Sequence, residues 1–141
     1  WFKPSAYALV LLREAGTPCV FWGDLFGTPE TGDLPAVREL PLLMGVRFRA
    51  AIGPQHNAFD DPDVVGFARE GSADVPGTGC AVILSDRHAA EKTLYVGRHH
   101  AGEDWECMIG GHPDVRVADD GTLTGVVSDG GLSVYVPRVN A

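Results

Sequence analysis

The chain has 141 residues, of which 45% are hydrophobic, and it carries a formal net charge of −8 at pH 7. This length has room for one globular domain, and the apolar content is ordinary for one. Nucleic-acid binding calls for a basic face, so the acidic charge argues against a nucleic-acid partner. A helix that crosses a bilayer needs about twenty apolar residues in succession, and no run approaches that length, so we expect no membrane partner.

The first part of the chain predicts a buried helix and a buried strand. Residues 6–12 are apolar on every side of a helix, Pro4 suits its first turn, and Gly16 can end it. Residues 19–22 form a short unbroken apolar run, which is typical of a parallel strand covered on both faces. Both elements need packing partners, so we expect residues 1–50 to leave apolar surface exposed.

Two further helices are predicted before the pattern changes. A loop rich in Gly, Thr and Pro covers residues 25–32, and Asp33 can cap a helix over residues 34–40. A proline is expected to break that helix, and a second one is predicted over residues 42–49. Helix, strand, loop and helix follow one another as in an α/β repeat. One repeat cannot bury both faces of its strand, so we interpret residues 1–50 as the end of a larger domain.

After residue 53 the chain reads as short strands separated by Gly, Asp and Pro. Seven strands are predicted, over residues 64–69, 80–84, 93–96, 105–109, 115–118, 123–127 and 132–136. Strands of this length with turn residues between them are typical of an antiparallel sandwich or Greek key. We therefore predict an all-β domain over residues 51–141.

The cysteines and histidines do not predict a metal site. Cys19, Cys80 and Cys107 are widely spaced among apolar neighbours, which favours buried free thiols over a zinc site or a disulfide framework. Free thiols slightly favour a reducing, cytoplasmic compartment over a secreted one. His99 and His100 are adjacent, so on a strand they would point to opposite faces and share no metal.

Four stretches of sequence occur in order along the chain: WFKPSAYA with GTPCVFWGD, then QHNAFDDPDVVGFAREG, then YVGRHHAGEDW, and last GGLSVYV. Together they resemble the C-terminal part of the liquefying-type α-amylases, a branch of the α-amylase family of glycoside hydrolases. The resemblance implies a (β/α)8 barrel followed by an antiparallel Greek-key β-sandwich. Residues 1–50 would be the last strand and helices of that barrel, and residues 51–141 the β domain.

The resemblance also implies an activity for the intact protein. The family hydrolyses internal α-1,4 links of starch or glycogen with retention, using two carboxyl groups about 5–5.5 Å apart. In that family the catalytic carboxylates follow earlier barrel strands, upstream of Trp1, so no catalytic residue is carried onto this chain. We therefore expect the chain to be inactive by itself and the intact protein to be a monomer.

A stand-alone sandwich that binds carbohydrate or another surface is the alternative function. A sugar-binding face presents exposed aromatic side chains. Trp105, Tyr95 and Tyr135 lie in strand-like stretches, where packing is the default role. This alternative therefore depends on how exposed those three rings are.

Two residues near the predicted strand are candidates for lining the substrate cleft. Asp24 follows residues 19–22, at the strand end where barrel enzymes place their functional loops. It could line or support the cleft, or it could hydrogen-bond its own turn. Trp22 could offer a face to a sugar ring, or it could pack inside the barrel.

An acidic turn gives a candidate calcium site. Calcium takes carboxylate and carbonyl oxygens, and the turn carries Asp60, Asp61 and Asp63. The resemblance implies a calcium ion between barrel and β domain, held by Asp63, Asp86 and the Pro62 carbonyl, with further carbonyls upstream. This chain has Pro62 where the family often has His. Calcium would be weak or absent without the upstream ligands, and the alternative is a solvated turn without an ion.

Overall fold

The computed structural model describes residues 1–139 and separates helices from strands along the chain. Three helices come first: α1 (Lys3–Leu12), α2 (Trp22–Phe26) and α3 (Leu40–Arg49). Eight strands follow: β1 (Gln55–Ala58), β2 (Val64–Arg69), β3 (Cys80–Ser85), β4 (Ala90–Tyr95), β5 (Asp104–Ile109), β6 (Val115–Arg116), β7 (Thr122–Val127) and β8 (Leu132–Pro137). A short 3-10 helix, Arg98–His100, joins β4 to β5. None of the helices within residues 1–139 has the length and hydropathy needed to cross a membrane.

The strands form two antiparallel sheets. The large sheet has six strands in the order β1-β2-β3-β8-β5-β6, and the small sheet pairs β4 with β7. The predicted antiparallel all-β region is therefore confirmed, and each of the seven predicted strands has a counterpart. The strand predicted over residues 115–118 is shorter, and the one predicted over 93–96 begins earlier, at Ala90. β1 was not predicted; it is a polar edge strand, and within residues 1–139 it pairs only with β2.

The core lies on both faces of the large sheet. On one face, Leu12 of α1 packs in a cluster with Phe67 and Val82. On the other face, Ile83 packs with Trp105 and the small sheet. Val82 and Ile83 are neighbours on β3, and successive strand residues point to opposite faces. The unbroken apolar run of β3 follows from this two-sided burial.

Two predictions for the first part of the chain are wrong. Residues 19–22 do not form a strand, because within residues 1–139 no neighbouring strand lies beside them, and α2 begins at Trp22. Residues 34–39 are not helical either, and Val37 N–H instead donates to the Asp24 carbonyl at 2.6 Å. Pro41 does not end a helix but lies in the first turn of α3, where its missing N–H costs nothing.

Gly71 marks a close approach of the backbone within the connection between β2 and β3. Its φ is +72°, and a Cβ added there would lie 2.4 Å from the carbonyl carbon and oxygen of Thr78. Its N–H donates to the Ile52 carbonyl at 2.8 Å, which fixes the position of the backbone. Gly102 has a similar φ of +80° but faces open space.

Gly71→Ala should destabilise the fold more than Gly102→Ala. Both substitutions place a side chain in the left-handed region, at a cost of about 1–2 kcal/mol. Only Gly71→Ala also forces the backbone at Thr78 to move. Urea unfolding of the two variants beside the wild-type chain measures the difference, and equal losses would show that the backbone at Thr78 can move without cost.

Candidate functional site

Asp24 is buried and connects α2 to α1. Its Oδ1 accepts a hydrogen bond from Lys3 Nζ at 2.5 Å, and its Oδ2 accepts one from the Tyr7 hydroxyl at 2.6 Å. Lys3 and Tyr7 are four residues apart on α1 and therefore lie on one face of that helix. The side-chain hydrogen bonds of Asp24 run to α1 and not to its own turn. Its place beside a substrate cleft stays a prediction.

The surroundings of Asp24 favour its ionised form. The hydrogen bond from Lys3, followed by that from Tyr7, lowers the pKa of the Asp24 carboxyl below its usual value. The pKa of Tyr7 is raised, first by its hydrogen bond to Asp24 and then by burial. At neutral pH, Lys3 and Asp24 therefore form an ion pair to which a neutral Tyr7 hydroxyl donates.

The first fifty residues, which contain the three helices, present many apolar side chains to solvent, here called the helical apolar surface. Ten of the fifteen exposed large hydrophobic side chains among residues 1–139 lie in the first fifty residues. These ten are Trp1, Phe2, Val10, Phe21, Trp22, Phe26, Leu34, Leu42, Met44 and Phe48. Phe48 is 88% exposed and Trp22 63% exposed, and the Trp22 ring lies 5.1 Å from that of Phe26. The predicted exposure of apolar surface is confirmed.

The candidate calcium residues lie at one end of the β2–β3 pair. Asp63 directly precedes β2 and Asp86 directly follows β3, and Asp86 N–H donates to the Asp63 carbonyl at 3.1 Å. One oxygen of each carboxylate lies near Nε of Arg87, at 3.7 Å for Asp63 and 3.8 Å for Asp86, so one guanidinium pairs with both. No group of three or more His, Cys, Asp or Glu side chains within residues 1–139 could hold a metal ion.

The three cysteines are free, but they are not all buried. Cys80 is buried, Cys107 is partly buried and Cys19 is exposed, so the prediction of burial is wrong for Cys19. Its segment lacks the strand neighbours that would cover it. Burial raises the pKa of the Cys80 thiol to about 12, so that cysteine is protonated and unreactive at neutral pH.

A cluster of His and Glu side chains was missed by the sequence analysis. His99 and His100 lie in the 3-10 helix and not on a strand, and their rings are 4.0 Å apart. His100 contacts Glu103, and Glu70 contacts His56 across the β1–β2 pair. The only signal in the sequence is the spacing of three between His100 and Glu103.

Comparison with known proteins gives the family. No family model matches the chain. It is 40% identical over 141 residues to an α-amylase of Geobacillus stearothermophilus, covering 98% of this chain and 25% of that protein. It is 37% identical over 147 residues to a cytoplasmic α-amylase of Escherichia coli, covering 96% of this chain and 29% of that protein. The chain corresponds to a C-terminal segment of an α-amylase family member.

Solved structures agree on the fold of this α-amylase segment. An α-amylase from Malbranchea cinnamomea matches 95% of the chain with a TM-score of 0.69 at 14% identity, and the match covers 32% of that structure. An Anoxybacillus α-amylase matches 99% with a TM-score of 0.64 at 15% identity, again over 32% of its length. The segment thus spans between a quarter and a third of the α-amylases that it matches.

Asp24→Asn should reduce the acid sensitivity of the segment. Because the pKa of Asp24 is lowered in the folded chain, its ion pair contributes stability above about pH 3.9, the usual value for Asp. That contribution is lost as the pH falls through the lower, folded-state pKa. Thermal melting between pH 2 and 6 should therefore show a smaller loss on acidification in Asp24→Asn.

The matched control is Asp33→Asn, which changes an exposed carboxyl in the same half of the chain. It should keep the pH profile of the wild-type segment. Parallel profiles for wild type and Asp24→Asn would contradict a stabilising role for the Lys3–Asp24 pair.

Proposed function

We propose that this segment completes and stabilises the catalytic domain of an α-amylase that hydrolyses internal α-1,4 links of starch or glycogen with retention. Residues 1–50 supply the last part of a (β/α)8 barrel, and residues 51–141 form its Greek-key β domain. The two catalytic carboxylates lie outside these 141 residues. The intact protein acts as a monomer and binds its α-glucan substrate at the barrel.

The helical apolar surface is the observation that carries this proposal. A soluble monomer rarely exposes contiguous apolar patches larger than a few hundred Å². Here the exposed rings of Trp1, Phe21, Trp22 and Phe48 are concentrated in the helical part. The face of α1 and α3 that carries Leu12 and Leu43 already packs on the large sheet. The remaining apolar side chains need a second partner, and the upstream barrel of the same protein fits that need.

A stand-alone carbohydrate-binding module is less well supported. Trp105 and Tyr135 are fully buried between the sheets and offer no face to a sugar. Tyr95 is partly exposed, but its ring makes an edge-on contact with the ring of His56, with centroids 4.9 Å apart. This contact covers one side of the Tyr95 ring. Among the three aromatic residues considered for sugar binding, none presents a free, fully exposed ring.

The purified 141-residue chain should not hydrolyse starch, whereas a mixture with the separately expressed upstream part of its parent should do so. Retaining hydrolysis needs a nucleophile and a general acid, and the proposal assigns neither to this chain. The assay is release of reducing ends from soluble starch. Activity of the chain alone that is lost on mutating one of its own acids would overturn the proposal.

Reassembly should depend on the helical apolar surface. Burying one Phe side chain is worth roughly 1.5–3 kcal/mol, so Phe48→Asp should weaken association with the upstream part about tenfold or more. Val75→Asp is the control, because Val75 is also exposed but lies in a loop of the β region. It should reassemble normally, and equal binding by both variants would exclude the helical face as the docking surface.

The proposal includes a calcium ion held by Asp63, Asp86 and the Pro62 carbonyl in the intact protein. Its support is the approach of the two carboxylates to one cationic centre, the guanidinium of Arg87. Two carboxylates and a carbonyl are too few for calcium, which takes six to eight oxygen ligands. The described residues therefore fit only part of a site, and the ion would need upstream ligands and a displaced Arg87. When bound, it would link the β domain to the barrel.

In the intact protein, the double variant Asp63→Asn and Asp86→Asn should shrink the gain in melting temperature that calcium gives. An ion bound only by the folded form adds about 3 kcal/mol at a hundredfold excess over its Kd. Asp74→Asn changes an exposed carboxyl elsewhere in the β region and should leave the gain unchanged. An undiminished gain in the double variant would show that residues 60–63 are only a solvated turn.

A further inference from the structure

An open groove of about 560 Å³ lies between the end of β1 and strand β4 of the small sheet, and it is here called the β4 groove. Residues 57–61 line it from β1 and the turn that follows, and residues 91–93 line it from β4. Sites that take small molecules have volumes of about 300–1,000 Å³. The β4 groove therefore has room for a ligand of that size.

Lys92 brings a nearly buried ammonium group to the β4 groove. Its side chain is only 8% exposed. On β4 it shares a face with Leu94, which packs between the two sheets, so its aliphatic stem is covered while Nζ reaches Asp60 Oδ1 at 2.7 Å. An ammonium group carries three N–H donors, and Asp60 is its one side-chain acceptor within residues 1–139. Two donors therefore remain for a ligand that enters the groove.

Phe59 adds an apolar ring to the same groove. The guanidinium carbon of Arg13 lies over this ring, 6.0 Å from its centroid, and a cation in that position is attracted to the ring face. Phe59 is nevertheless 48% exposed. The ring is thus held from one side while about half of the residue remains free to contact a ligand.

The charges along the β4 groove exclude several classes of ligand. Three acidic residues line it with a single cation, Lys92, so an anion such as phosphate would be repelled; they are Asp60, Asp61 and Glu91. Within residues 1–139 no three acidic, His or Cys side chains are placed to hold a metal ion. A purely apolar ligand would leave the polar groups of the groove without partners. A neutral ligand with many polar groups is what remains.

A sugar ring has the two surfaces that the β4 groove complements. One face of a glucosyl ring consists of C–H groups and packs on an aromatic ring such as that of Phe59. Its hydroxyl groups both donate and accept hydrogen bonds. Lys92 can donate to them, the Asp60 carboxylate can accept from them, and the exposed amide of Asn57 can do either.

We propose that the β4 groove binds an α-glucan, with one glucosyl ring packed on Phe59 and its hydroxyl groups bonded to Lys92 and Asp60. This inference rests on the proposed function, which makes α-glucan the substrate of the intact protein. Within that function it gives the β domain a part in holding the substrate as well as in completing the fold. Two linked sites on one protein hold a long chain more tightly than either site alone.

An NMR titration of the full 141-residue chain with maltoheptaose tests the site directly. The backbone amide signals of residues 57–61 and 91–93 should shift in a saturable manner, with a Kd on the order of 1 mM because the groove is open. The absence of a saturable shift would overturn the proposal. Shifts confined to the first fifty residues would also overturn it, because they would place the sugar on the exposed rings of the helical apolar surface.

Two variants should weaken the binding of maltoheptaose about tenfold or more. Phe59→Ala removes the ring on which the sugar packs. Lys92→Met keeps an unbranched aliphatic stem and removes the charged donors. Since Phe59 is half exposed, its variant should fold, and urea unfolding of each variant checks this.

Phe48→Ala is the matched control, because Phe48 is also an exposed phenylalanine but lies on α3, outside the β4 groove. It should bind maltoheptaose as the wild-type chain does. If Phe59→Ala and Phe48→Ala bind equally well, the groove is excluded as the binding site.

Failure of this site and failure of the proposed function give different results. The titration needs neither the upstream part of the protein nor catalysis, whereas the starch assay needs both. A chain that does not bind maltoheptaose but restores hydrolysis with the upstream part would overturn the groove alone. Saturable binding in the groove without restored hydrolysis would support the groove and overturn the proposed function.

Discussion

β3 and β8 lie in the middle of the large sheet, and every residue of both strands is buried. That is possible only because the helices cover one face of the sheet while the small sheet covers the other. The helices therefore belong to the hydrophobic core of the β region. Since α1 and α3 are short and apolar, packing one side of each against the sheet leaves other apolar side chains facing solvent. The helical apolar surface is thus a direct result of how the sheet is buried.

Two arginine side chains contact the end of α1, one from α3 and one from β2 of the large sheet. The last carbonyl groups of a helix have no partner within it. Here the Leu11 carbonyl accepts from Arg47 of α3 at 2.5 Å, and the Leu12 carbonyl accepts from Arg69 of β2 at 3.2 Å. Cations also interact favourably with the negative end of the helix dipole. Gly16 was expected to end this helix, but the helix ends at Leu12 with these distant residues as partners of its last carbonyl groups.

The sequence predicted elements whose cause is local and missed those whose cause lies elsewhere in the chain. The apolar runs of β3 and β8 predicted strands correctly, because burial on both faces of the sheet favours apolar residues at successive positions of the strand. The same kind of run at residues 19–22 forms no strand, since pairing depends on neighbours that residues 1–139 do not provide. Strand β1 was missed because its polar sequence, Gln-His-Asn-Ala, shows no alternation of apolar and polar residues, and its backbone pairing is with β2. The partners of Asp24 and His100 are side chains and carbonyls up to thirty residues away, which spacing cannot reveal.

The Lys3–Asp24 ion pair and the exposed aromatic rings of α2 are two consequences of one arrangement. Trp22 and Phe26 are four residues apart, so they share a face of the helix, and Asp24 lies two residues from each, on the other side. The bonds from Lys3 and Tyr7 draw Asp24 toward α1, and Trp22 and Phe26 must then point away from it. An apolar helix left to itself would turn its aromatic side inward, because burying those rings removes more apolar area from water. The polar contact therefore holds the rings outward, which is the orientation that the proposed docking of this face on the upstream barrel would use.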